Sequence, residues 1–260
     1  MANTTLEFFA DKKTAVLTIA RPEQLNALNP DTMAEIDAAL DKAAKEKDLR
    51  SLIVTGSGAK AFVAGADIKQ LEGLSEEGAQ KLSVNGNRVF SKLAALPFPA
   101  IAAVNGFAFG GGCEIALACD IRLASENATF SLPEVALGVC PGWGGTQRLA
   151  RLVGSGLAAE LLFSAGRLSA ARACEIGLVN AVHPQEKLME AAFDLAAKIG
   201  KNAPLAVAAC KRAMYDGLDV PLSQGLEIEA KAFGKLFGTD DAQKGLSAFS
   251  NKEKYEFKGE

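Results

Sequence analysis

The 260-residue chain (27.1 kDa) is 49% apolar, enough to bury one large core, or a core with an appendage, without disulfide or metal staples. Lys and Arg number 28 against 31 Asp and Glu, so the net charge is −3 and the pI near 5.5, which argues against a broad nucleic-acid-binding surface. A single histidine, His183, excludes a His-rich metal site and leaves the carboxylates as the general acid–base pool.

In chain order, residues 6–10 and 14–20 read as two strands joined by the polar Asp11-Lys12-Lys13 turn. Asn29-Pro30 then opens a helix, with Asn at the N-cap, Pro at the first helical position, and Met33, Ile36, Leu40 and Ala44 on one apolar face. Residues 51–55 are an apolar, β-branched run that predicts a buried strand, and a Gly-containing loop is expected over 56–66. Residues 76–95 predict a helix with Leu82, Val89, Leu93 and Leu96 on a common side. A buried strand over 100–104, a glycine-rich loop, a helix over 111–118 and a strand over 121–124 follow. From about 144 the pattern is mostly helical, with Pro184, Pro204 and Pro221 at helix starts, and the charged tail 251–260 is expected on the surface or on a partner subunit. The expectation is an α/β fold, with a strand-bearing core over 1–190 and a helical part over 191–260; a doubly wound sheet is one arrangement these elements allow.

Residues 93–113 carry no charge, but Pro97, Pro99, Asn105 and several glycines interrupt them and Glu114 ends them, so no membrane span is expected. The N-terminal stretch has neither an apolar signal core nor an Arg/Ser-rich presequence. Cys113, Cys119, Cys140, Cys174 and Cys210 are odd in number, lack C-x-x-C spacing and sit among apolar neighbours, which reads as reduced cysteines in a cytoplasmic protein.

Gly56-Ser57-Gly58 follows a strand, but Phe62-Val63-Ala64-Gly65-Ala66 offers no capped helix for a pyrophosphate, so a plain loop is the better reading. Asn105-Gly106-Phe107-Ala108-Phe109-Gly110-Gly111-Gly112-Cys113-Glu114 runs from a buried strand through three glycines into a helix. Its free first-turn amides suit an oxyanion. Glu114 can be an ordinary first-turn acid, yet its neighbours Cys113, Ile115, Ala116 and Leu117 point to burial and a raised pKa. Glu134, after Pro133, is a second acid in apolar company and allows the same two readings. Next comes the loop Pro141-Gly142-Trp143-Gly144-Gly145-Thr146. In the Ala64-Gly65-Ala66-Asp67-Ile68-Lys69 stretch, Asp67 is expected to cap a helix and Lys69 reads as a surface lysine. His183 reads as structural, and no G-x-S-x-G elbow supports Ser-His-Asp chemistry.

Taken with Arg21-Pro22, Leu25-Asn26-Ala27-Leu28, Leu137-Gly138, the 141–148 segment, Gly177-Leu178-Val179 and Ala248-Phe249, these motifs resemble the crotonase (enoyl-CoA hydratase/isomerase) superfamily, above all its short-chain bacterial members. The resemblance implies a spiral of ββα turns in place of the doubly wound sheet. It also implies a helical C-terminal oligomerisation region and a homotrimer or dimer of trimers. It implies an oxyanion hole from the backbone N–H groups of Ala66 and Gly111, and catalysis by Glu114 and Glu134. Ala64, Asp67, Ile68, Lys69, Gly142, Trp143 and Lys252 would contact an acyl-CoA substrate, Lys252 at the CoA phosphates unless it is a solvated tail lysine. Trp143 would limit the acyl pocket to short chains. The implied reaction is reversible addition of water to a trans-2-enoyl-CoA, crotonyl-CoA to 3-hydroxybutyryl-CoA, with no metal or other cofactor, no nucleic acid and no membrane. Glu114 would activate the water and Glu134 protonate C2. That division needs burial and mutual repulsion to raise at least one Glu pKa above its ordinary value, or else the water itself supplies the C2 proton. An enoyl-CoA isomerase, or a CoA- or RNA-binding member with little catalysis, are the alternatives.

Overall fold

The computed structural model describes residues 2–260. β1 (Thr4–Phe9) and β2 (Thr14–Ile19) form an antiparallel hairpin, Thr4 opposite Ile19 and Phe9 opposite Thr14. α1 (Pro30–Lys45) begins as its sequence requires: Asn29 Oδ1 accepts from Thr32 N at 2.8 Å and Pro30 occupies the first helical position.

A repeating turn then builds the core. β3 (Ser51–Gly56) leads to β4 (Ala61–Val63) and α2 (Glu76–Ala94); β5 (Ala100–Val104) leads to β6 (Phe107–Phe109) and α3 (Gly111–Ala118); β7 (Ile121–Ser125) leads to β8 (Thr129–Ser131). The first strand of each pair enters a sheet of order β1-β2-β3-β5-β7-β10, where β10 is Ala181–His183. The second enters a smaller sheet of order β4-β6-β8-β9, where β9 is Arg167–Ser169. Both sheets advance one strand per turn, in parallel register (Leu52 opposite Ala100, Ile101 opposite Ile121, Phe107 opposite Thr129). This is a spiral of ββα turns, and it rules out the doubly wound arrangement.

The large sheet is covered on both faces, which is why its strands read as unbroken apolar runs. Leu52, Val54, Ala102 and Val104 face the main core with α1, α2 and α3. Ile53, Ile101, Ala103 and Leu123 face α7 (Leu188–Gly200) through Leu188, Ala192 and Ala196. The expected 56–66 loop contains β4, and the expected glycine-rich loop after Val104 contains β6. Three residues are too few to show an alternating pattern. His183 ends β10 rather than introducing a helix; Pro184 precedes a short 3-10 turn, Gln185–Lys187.

α4 (Gly145–Val153), α5 (Ser155–Ser164) and α6 (Ala170–Glu175) close the spiral. α8 (Pro204–Leu218), α9 (Leu222–Leu236) and α10 (Asp240–Asn251) follow α7. α8 and α9 bury no residue, and Leu218, Leu222, Leu226 and Phe233 are exposed along them. The tail folds back on its own chain: the carboxylate of Asp241, in the first turn of α10, accepts from Tyr255 Oη (3.2 Å), Lys258 N (2.9 Å) and Gly259 N (2.6 Å). Among the described residues, no helix is long and apolar enough to cross a membrane.

Candidate active site

α3 forms one wall of the site. The N–H of Gly111, its first residue, has no hydrogen-bond partner among the described residues, as first-turn amides lack one within their helix. Gly110 before it takes φ +49, a backbone conformation that side chains disfavour. A Cβ on Gly110 would also stand 2.9 Å from Glu134 Oε1.

The 64–67 segment forms the facing wall. Leu28 N donates to Gly65 O and Asp67 N donates to Leu28 O, both at 2.8 Å. This parallel bridge uses the residues flanking Ala66 and turns the Ala66 N–H the other way. That N–H also has no partner among the described residues, and its nitrogen lies 3.6 Å from where a Gly111 Cβ would stand. The 21–28 loop holds the segment in place. Buried Asn26 donates through Nδ2 to Ser57 O and Ala61 O, each at 2.9 Å, and Arg21 N donates to Asn26 Oδ1 at 2.9 Å. The Arg21 guanidinium donates to Ala27 O and pairs with Asp67 Oδ2 at 3.5 Å. Asp67 precedes the 3-10 turn Ile68–Gln70 but makes no side-chain cap, because its carboxylate is engaged by Arg21; the expected capping role is corrected accordingly.

Glu114, one turn into α3, is 2% exposed. Its Oε1 accepts from Trp143 N (2.7 Å) and Gly145 N (2.8 Å), and its Oε2 takes no protein hydrogen bond among the described residues. Burial raises its pKa from the ordinary 4.5 to about 7; the amides of Gly145 and Trp143 pull the other way, and the Glu134 charge adds to the rise. The loop around Oε1 explains its own composition: a Cβ at Gly145 would meet Glu114 Oε1 at 3.1 Å and Pro141 Cβ at 2.9 Å. Glu134 opens the 3-10 turn Glu134–Leu137, and its Oε2 is buried with no hydrogen-bond partner among the described residues. Burial raises this pKa as well, against its own backbone N–H.

The 141–145 loop is pinned from α2, a link the sequence did not announce. Ser83 Oγ and Asn87 Nδ2 donate to Gly142 O at 2.5 and 2.9 Å, and Trp143 Nε1 donates to Leu82 O at 3.3 Å. Trp143, 6% exposed, is wedged where a Cβ on Gly86 or on Gly111 would come within 2.2 or 2.6 Å of its ring, and it meets Phe90 edge-on at 5.8 Å. A cavity of about 40 Å³ beside it is lined by residues including Leu28, Met33, Ala66, Leu82 and Gly86. Ile68 and Lys69 are exposed residues beside this wall. Ala64 is half-buried, its N–H donating to Leu25 O at 3.0 Å.

Lys252 is not brought to this cluster. It is exposed at the C-terminal end of α10, and no hydrogen bond or ion pair among the described residues ties it to the site. His183 also lies outside the cluster; its carbonyl accepts from Glu126 N at 2.9 Å. Of the cysteines, Cys113 and Cys119 are buried, whereas Cys140 and Cys210 are exposed, contrary to an apolar setting for all. Among the described residues, no group of three or more His, Cys, Asp or Glu could hold a metal ion.

One buried and one half-buried carboxyl, both of raised pKa, beside two unpartnered amides can exchange protons with a substrate while stabilising a developing oxyanion. The profile of the enoyl-CoA hydratase/isomerase family matches residues 10–260. The chain belongs to this family. It is 48% identical over 244 residues to the short-chain-enoyl-CoA hydratase of Clostridium acetobutylicum, covering 94% of each chain. To the crotonyl-CoA hydratase of Syntrophomonas wolfei it is 46% identical over 247 residues, covering 95% of each. Its fold superimposes on the crystal structure of enoyl-CoA hydratase from Bacillus anthracis with a TM-score of 0.95, at 40% identity, over 99% of this chain and 100% of that one. The spiral with C-terminal helices is therefore this family's fold.

Proposed function

We propose that this chain is a hydro-lyase that adds water reversibly to the double bond of a short-chain trans-2-enoyl-CoA, with crotonyl-CoA as the reference substrate. The observation that carries the reading is the buried carboxyl of Glu114 and the half-buried Glu134, whose Oε2 is itself buried, beside the free N–H groups of Ala66 and Gly111. The hydratase relatives support it.

The thioester oxygen accepts from the Ala66 and Gly111 amides, and negative charge grows there as water attacks C3. A donor of this kind is worth roughly 3 kcal/mol to the transition state. Glu114, with Oε1 held by two amides and Oε2 free, takes a proton from the attacking water. The C3–O bond forms and the π pair moves through C2 to the thioester oxygen. Glu134 gives its proton to C2 and the carbonyl reforms. An unpartnered buried oxygen on Glu134 is better tolerated in a neutral acid than in an anion, which supports giving it the proton. Ala64, Asp67, Ile68, Lys69 and Gly142 are assigned to the acyl-CoA contact surface, and Lys252 to the CoA phosphates. No metal or redox group enters these steps, and CoA arrives as part of the substrate.

The exposed apolar residues of α8 and α9 support an oligomerisation role for 191–260 and a homotrimer or dimer of trimers. Five cysteines free of disulfides fit a cytoplasmic setting.

The test is hydration of crotonyl-CoA by the wild type and by Glu114→Gln and Glu134→Gln. Each variant is expected to lose about 10²-fold or more in kcat. Near-wild-type turnover in both would sink the mechanism, and isomerisation of a 3-enoyl-CoA without hydration would replace it. Trp143 is assigned as the stop of the acyl pocket. Trp143→Ala should shift kcat/KM toward six- and eight-carbon substrates by about tenfold or more, and an unchanged chain-length profile rejects that role.

A further inference from the structure

Arg122, the second residue of β7, is 5% exposed and has no carboxylate within ion-pair distance among the described residues. All its side-chain hydrogen bonds go to backbone carbonyls. Nε donates to Leu178 O at 2.8 Å, Nη1 to Cys119 O at 2.6 Å and Ala116 O at 3.5 Å, and Nη2 to Asp120 O at 3.5 Å. Ala116, Cys119 and Asp120 are the C-terminal end of α3 and the residues just past it. The guanidinium is therefore the cap of the helix whose other end carries Gly111 and Glu114.

A buried cation without a counter-ion is costly, and a neutral donor would satisfy a helix end at lower cost. What Arg adds is a rigid planar fork that grips several carbonyls at once, and a positive charge at the negative pole of the helix. α3 has eight residues, about 12 Å at 1.5 Å per residue, so it is too short to hold its own geometry. Its N-terminal amide must nevertheless stay aimed at one oxygen atom.

Resting on the hydratase reading above, we infer that Arg122 is a positioning residue for hydration: by gripping the C-terminal carbonyls of α3 it fixes the axis of that helix and so holds the Gly111 N–H on the thioester oxygen. The residue touches no substrate atom. Its loss should weaken polarisation of the carbonyl and leave thioester binding largely intact.

The experiment compares the wild type with Arg122→Lys, which keeps the charge and loses the fork, and Arg122→Gln, which loses both. Steady-state hydration of crotonyl-CoA gives kcat and KM. The infrared carbonyl band of bound butyryl-CoA, ¹³C-labelled at the thioester carbon and inert to hydration, reports polarisation directly. Arg122→Lys should lower kcat about tenfold with KM within about twofold, and Arg122→Gln should lower it further. In both variants the bound carbonyl band should move back toward its position in water, farther in Gln than in Lys. Folded variants with wild-type kcat and an unmoved band overturn the inference. If Arg122→Gln does not fold, Arg122→Lys decides by the same two readouts. A wild type that neither hydrates crotonyl-CoA nor shifts the butyryl-CoA band overturns the hydratase reading instead, so the two failures are told apart.

Discussion

Glu114 and Asp241 are both carboxyls almost wholly removed from water, at 2% and 1% exposure, and their pKa values move in opposite directions. Glu114 lies under the spiral core and has two amide donors, both on one oxygen; burial dominates and its pKa rises to about 7. Asp241 lies at the periphery, covered by the returning tail. Burial also acts to raise it, but donors from Lys258, Gly259 and Tyr255 spread over both oxygens together hold it below the usual carboxylate range. Depth and donor count, not burial alone, separate an acid poised to trade a proton at neutral pH from one locked as an anion. The tail is fastened by a fully satisfied carboxylate, whereas the candidate site holds one left short of donors.

The sharpest test of this contrast is stability against pH. Because the folded-state pKa of Glu114 lies above its unfolded value, the native state binds the extra proton, and stability falls as pH rises from about 4.5 to about 7. The gap between those two values corresponds to about 3 kcal/mol. Glu114→Gln should lack that slope, so the variant gains on the wild type by about this amount between pH 4.5 and 8 in urea unfolding. Parallel pH profiles for the two proteins would show that Glu114 is an ordinary carboxylate and end the contrast.

Much of this was readable from residue types, and what was not follows a physical pattern. The runs that became β3 and β5 stand out because sheets covered on both faces need continuous apolar strands. Asn29 and Pro30 announce α1 through local chemistry alone. β4, β6 and β8 are too short for any periodicity, so the second sheet was invisible without the resemblance. Glu114 and Glu134 are conspicuous as acids among apolar neighbours. The donors that tune Glu114 are not, because the amides of Trp143 and Gly145 carry no residue-type signature. Asp67 has a capping residue's identity but was captured by Arg21, 46 positions earlier. The setting of Asp241 was not legible either, because the atoms that bury it arrive from the end of the chain.

Asp241→Asn tests the other side of the comparison. It keeps the shape but replaces one acceptor oxygen by a donor and removes the charge, which should cost roughly 1.5–3 kcal/mol at neutral pH. The folded-state pKa of Asp241 is depressed, so its contribution is present above the unfolded pKa and is lost as pH falls through the folded one. Wild type and variant should therefore converge in acid, the reverse of the Glu114 result. Amide exchange at Lys258 and Gly259 should accelerate at neutral pH, since both lose a charged acceptor. Exchange as slow as in the wild type would mean that Asp241 does not hold the tail.

Tyr255→Phe makes the smallest change and isolates donor count from depth. The ring keeps its bulk and its edge-on contact with Phe257, at 5.2 Å between centroids. Only the hydroxyl that donates to Asp241 Oδ1 at 3.2 Å disappears, and the Lys258 and Gly259 amides stay. The carboxylate remains as deep and as charged as before, with one donor fewer. If donors set the direction of its pKa, Asp241 should titrate at higher pH than in the wild type by carboxyl NMR, while unfolding stability falls slightly. If depth alone set it, the titration would not move. A rise would also place Asp241 one step toward Glu114, whose two amides are too few to overcome burial in the core.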